Sequence, residues 1–79
     1  MRITRIRHEE HWHYEVQLDP DASSAELQAF GQMIRQLRAA GWPFLVGGSS
    51  AAPQVALFVG PFDSTQALGF ERDWAEHLT

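Results

Sequence analysis

Val55-Ala56-Leu57-Phe58-Val59-Gly60-Pro61-Phe62-Asp63 is the stretch on which the reading of this chain turns. Val55 to Val59 is a short apolar run with β-branched and aromatic side chains, the pattern of a buried strand. Gly60-Pro61 reads as a turn that stops the strand. Asp63, with Gln66 three residues on, has the spacing of a capping box that opens a helix.

The pattern extends in both directions. Downstream, Ala67, Phe70, Trp74 and Leu78 form one apolar stripe, which predicts a helix near 64–78. Upstream, Gly47 to Pro53 reads as a flexible hairpin loop and Trp42 to Val46 as a strand. Leu37-Arg38-Ala39-Ala40-Gly41 reads as a helix end, because glycine takes the left-handed conformation that closes a helix. That helix opens at Ser23, with Glu26 at the box position. Its stripe is Leu27, Phe30, Ile34 and Leu37, with Met33 beside it. Gly31 interrupts it at a cost of about 1 kcal/mol relative to Ala, and close packing against a sheet is the expected reason.

Further back, Asp19-Pro20-Asp21 breaks a strand in which Trp12, Tyr14, Val16 and Leu18 alternate with polar residues. Ile3 to Arg7 is weaker strand material, with Ile3 and Ile6 on opposite faces unless a bulge intervenes. His8 to His11 forms the connection. The expectation is an α+β domain of order ββαββα: a four-stranded antiparallel sheet with two helices packed on one face. Strands are expected near 2–7, 12–18, 42–47 and 54–59, and helices near 24–40 and 64–78.

Seventy-nine residues suit one domain, 1–79. The absence of cysteine excludes disulfides, thiol catalysis and zinc knuckles. The basic start, Met1 to Arg7, has no apolar core behind it, and no apolar run reaches the ~18 residues of a membrane span. The expected location is cytoplasmic, without a membrane partner. Arg2, Arg5 and Arg7 make the N-terminus basic, whereas His8 to Glu26 holds six acidic residues and neither Lys nor Arg. A net charge of −4 argues against nucleic-acid binding, which needs a basic surface.

Candidate chemistry is sparse. His8-Glu9-Glu10-His11-Trp12-His13 fails the zincin spacing, because position 12 is Trp. His11, His13 and Glu15 share one face of a strand and are ligand types for zinc or iron, but a solvent-facing polar edge is the simpler reading. Gly47-Gly48-Ser49-Ser50 lacks the Lys and following helix of a phosphate loop. Neither Ser49 nor Ser50 has a base assigned to it by sequence. No catalytic residue, metal site or cofactor is expected.

The expected site is the sheet face away from the helices. Phe58 and Leu45 point there if Val55, Leu57, Val59, Trp42, Phe44 and Val46 point inward, and His13, Glu15 and Gln17 join them. Exposed apolar residues with a polar rim suit a protein partner, with the chain a monomer or a homodimer. Glu9, Glu10, Glu15, Asp19 and Asp21 would steer approach to a basic partner surface.

The residues Tyr14-Glu15-Val16-Gln17, Leu37 to Gly41 and Val59-Gly60-Pro61-Phe62 together resemble the SPOR (sporulation-related repeat) domain, a small ferredoxin-like sheet-and-helix module. The resemblance implies binding of peptidoglycan glycan strands on the open sheet face. SPOR domains carry another strand after the second helix. Here Ile3 to Arg7 is expected to take that sheet position, which would make the chain a permuted relative. Size, charge and missing chemistry also suit a small acidic phage or mobile-element inhibitor of the anti-CRISPR type.

Overall fold

A computed structural model describes residues 1–49 and 52–78. The chain forms β1 (Arg2–His8), β2 (His11–Leu18), α1 (Ser24–Ala40), β3 (Phe44–Ser49), β4 (Ala52–Phe62) and α2 (Ser64–Asp73), then a 3-10 turn, Ala75–His77. The four strands make one antiparallel sheet in the order β1-β2-β4-β3. β2 and β3 both run against β4, so they are parallel to each other and α1 is the crossover between them.

Both helices bury their stripes against the same sheet face. Phe30, Met33 and Leu37 of α1 share one core with Ala67 and Phe70 of α2 and with Ile3, Tyr14, Val16, Leu57 and Val59 of the sheet. The core is aromatic at its centre: the Tyr14 and Phe70 rings lie 4.7 Å apart, and Phe62 meets Phe70 edge-on at 5.8 Å. Ile3 is fully buried and Ile6 is exposed; β1 pairs with β2 in continuous register, so the two isoleucines face opposite sides without a bulge.

Helix ends follow local chemistry. Ser23 Oγ accepts from the Glu26 amide at 3.2 Å. The expected capping box is only half formed there, because the Glu26 carboxylate accepts from the Met1 ammonium at 2.8 Å. An ammonium and a carboxylate bring two full charges to the bond, whereas the Ser23 amide would bring only a dipole. Gly41 closes α1 in the left-handed conformation, and the Trp42 amide donates to Leu37 O at 2.9 Å. The α2 box is complete: Asp63 Oδ1 accepts from the Gln66 amide and Gln66 Oε1 accepts from the Asp63 amide.

Several expectations change. Leu27 is exposed, and the buried stripe of α1 is Phe30, Met33 and Leu37. A methyl group at Gly31 would touch only the Arg35 guanidinium, at 3.6 Å, so no packing against the sheet requires this glycine. β3 begins at Phe44 and runs through Ser49, and β4 begins at Ala52, so most of the expected 47–53 loop is strand; residues 50 and 51 lie outside the described residues. Val46 sits on the helix side, opposite Leu57, yet is half exposed because β3 is the sheet edge.

Gly60-Pro61 does not end β4. The strand continues to Phe62 through a bulge: Tyr14 faces Val59 while Trp12 faces Phe62, so β4 holds one residue more than β2. Gly60 has φ +123°, and a Cβ there would come within 2.7 Å of Trp12 O. The bulge turns Phe62 into the core, where it is fully buried. α2 stops at Asp73 instead of reaching 78. Trp74, the residue after it, is buried in the core, and Leu78 forms a parallel bridge with Ile3.

Candidate functional site

The face of the sheet opposite the helices is built in cross-strand rows. One row runs Thr4, Glu15, Phe58, Leu45 across β1, β2, β4 and β3. The next runs Arg2, Gln17, Ala56, Gly47, and Ile6 lies opposite His13. Among the described residues no helix covers this face, since both α1 and α2 belong to the core on the other side. Phe58 and Leu45 are therefore exposed neighbours, at 45% and 68%. They open into a shallow groove of about 480 Å³, lined also by Ile6, His8, His13 and Pro43.

Phe58 has a second role. A Cβ on Gly47 would lie 3.2 Å from its ring, so the ring leans over the bare backbone of the edge strand. Part of its exposure thus reflects a device that shields a glycine in a strand. Beside it lies a polar relay. Arg2 Nη2 donates to Gln17 Oε1 at 2.8 Å, and Gln17 Nε2 donates to Glu15 Oε1 at 2.9 Å. This holds the Glu15 carboxylate beside Phe58, its cross-strand partner, with its charge partly used.

The acidic residues expected to steer approach lie in three places. Glu15 is on the open face, but Glu9 and Glu10 form the β1–β2 turn, and Asp19 and Asp21 follow the far end of β2. The two pairs are separated by the length of β2, ~23 Å at the usual rise. Glu9 occupies the left-handed region, φ 58°, as the turn requires. His8 and His11 are direct cross-strand partners. Among the described residues, no group of three or more His, Asp or Glu is placed to hold a metal ion. Ser50 and the Ser49 side chain lie outside the described residues. No helix among the described residues is long and apolar enough to cross a membrane.

A charged cluster escaped sequence reading. On the helix side, Arg5 Nε donates to Glu71 Oε2 at 3.1 Å, Arg5 Nη2 also donates to Glu71 Oε1, and the Tyr14 hydroxyl donates to Glu71 Oε2. Burial pushes the Glu71 carboxyl up, but the hydrogen bonds from Arg5 and Tyr14 outweigh it and hold the group below its ordinary value. Burial first, then the Glu71 carboxylate, push the Tyr14 hydroxyl well above its ordinary value. The cluster ties α2 to β1 and β2. Arg7 and Arg5 also approach the Trp12 ring, at 5.1 and 5.8 Å from its centroid. Two signals hinted at this in sequence: Arg5 has the inward parity of Ile3, and Glu71 adjoins the buried Phe70.

The chain matches no family model, no curated protein and no solved structure.

Proposed function

We propose that this protein is a small interaction module that works by occupying a partner protein's surface with its open sheet face. The observation that carries the reading is the adjacency of Phe58 and Leu45 on an uncovered face, flanked by Glu15, Gln17 and His13. Apolar anchors that lose water on contact dominate most interfaces, and polar neighbours fix orientation. Glu9 and Glu10 at one end, and Asp19 and Asp21 at the other, then act on the rate of approach to a basic surface. An inhibitor of the anti-CRISPR type fits this mode of action; size and net charge are what favour it.

The second reading is SPOR-like glycan binding on the same face. What favours it is the mixture of an exposed aromatic ring with planar polar side chains, Phe58 beside Glu15 and Gln17, a combination suited to stacking against a sugar and hydrogen-bonding its hydroxyls.

The test is capture from the native host with wild-type protein, Leu45→Asp and Leu68→Asp. Leu68 is the control, exposed on α2 away from this face. The first reading expects one partner, enriched by wild type and Leu68→Asp and lost with Leu45→Asp. Retention by Leu45→Asp together with loss by Leu68→Asp overturns the sheet-face site. Sedimentation with purified peptidoglycan, abolished by Phe58→Ala, moves the conclusion to glycan binding.

A further inference from the structure

The two edges of the sheet are protected very differently. β1 carries Arg2, Arg5 and Arg7, and Leu78 bridges its outer side at Ile3. Charged side chains and a covering segment are the usual defences of an edge strand. β3, the opposite edge, reads Phe44-Leu45-Val46-Gly47-Gly48-Ser49, without a charge or a proline. No strand or bridge among the described residues pairs with its outer side.

Charge decides what kind of partner this edge accepts. The whole of Trp42 to Phe62 contains no Asp, Glu, Lys, Arg or His, in a chain of net charge −4. Two copies of like net charge repel at long range; this hairpin carries no charge of its own, and Arg38, over the Phe44 ring on the helix side, stands at its flank. An edge strand paired antiparallel with itself is also self-complementary about a two-fold axis.

We propose that β3 pairs with β3 of a second copy, joining the two sheets into one of eight strands. The two-fold axis passes at Val46, so that Val46 faces Val46 of the partner subunit on the helix side. On the open side Leu45 then lies opposite the partner's Gly47, whose lack of a side chain leaves room for it. Among the described residues, Leu45, Val46 and Phe58 are three of the six large apolar residues exposed, and all three lie on β3 or beside it. One six-residue edge buries less than the ~1,200 Å² of a standard stable interface, so the dimer is weak and depends on concentration.

Analytical ultracentrifugation of the full chain, from micromolar to millimolar, tests this. Wild type is expected to shift from monomer to dimer across the series. Val46→Lys and Val46→Glu are each expected to stay monomeric, and mixing them is expected to restore the dimer, because the opposed positions then carry opposite charges. Hydrogen exchange on wild type supplies a readout that no misfolded variant can blur: β3 amides should gain protection as concentration rises, and β1 amides should not. A wild type that remains monomeric at millimolar concentration overturns the proposal. So does a Val46→Lys protein that dimerises like wild type, or added protection that falls on β1.

Discussion

The two faces of the sheet use the same strands for opposite purposes. Facing the helices, Tyr14, Val16, Leu57 and Val59 are buried within one aromatic-centred core. Facing away, their immediate neighbours Glu15, Gln17, Ala56 and Phe58 have no layer of structure packed over them, and Phe58 opens into a shallow groove. Alternation by one residue separates the two environments. Stability is concentrated on the first face.

The largest expected contrast is between Trp74→Ala and Phe58→Ala. Trp74 is buried just beyond the end of α2, so its loss should cost about 3–5 kcal/mol in denaturant unfolding. For a domain of this size that is a large share of the total. Equal effects at Trp74 and Phe58 would break the comparison between faces. Gly60→Ala should come next, at about 2 kcal/mol or more, because its backbone conformation and the approach to Trp12 O both exclude a side chain. A melting temperature near that of wild type would show that the bulge relaxes.

The Arg5–Glu71–Tyr14 cluster sharpens the comparison through pH. Glu71 has a lowered folded-state value, so its contribution is complete above the ordinary carboxylate value of 4.5 and is lost as pH falls through the folded value. Tyr14 has a raised one, so its contribution is complete below the ordinary value of 10.0 and is lost as pH rises above it. Glu71→Gln should cost about 1 kcal/mol near neutral pH, a figure already reduced for the half-exposed Arg5. It should also flatten the acid limb of stability against pH, measured by urea titration from pH 3 to 6. An unchanged acid limb would show that other carboxylates set it.

Phe58→Ala is expected to cost only about 1 kcal/mol, the loss of a half-exposed ring lying over Gly47. The smallest effect has the opposite sign. Gly31→Ala should stabilise by about 0.5–1 kcal/mol, because the helix gains a better former and the new methyl meets only Arg35. A destabilised Gly31→Ala protein would show that α1 sits closer to the sheet than its contacts indicate.

The candidate site was partly legible. The period of two in β2 was enough to assign His13, Glu15 and Gln17 to one face, and the register then set Phe58 and Leu45 beside Glu15. Sequence could not show that Glu9 and Glu10 stand a strand's length from Asp19 and Asp21, because the strand between them sets that distance. Nor could it pair Arg5 with Glu71, 66 residues away.

By itself the sequence determined the order ββαββα, both ends of α1 at Ser23 and Gly41, and the Asp63–Gln66 start of α2. Each depends on hydrogen bonds or side-chain periods spanning five residues or fewer, so a short window of residues suffices to specify it. Only the tertiary structure decided that β4 runs past Gly60-Pro61 to Phe62, that α2 gives way before Trp74, and that Leu27 stays exposed while Met33 is buried. Those outcomes follow from which aromatic rings fill the space between sheet and helices. That space is shaped by residues far apart in the chain, whose packing leaves no local signature.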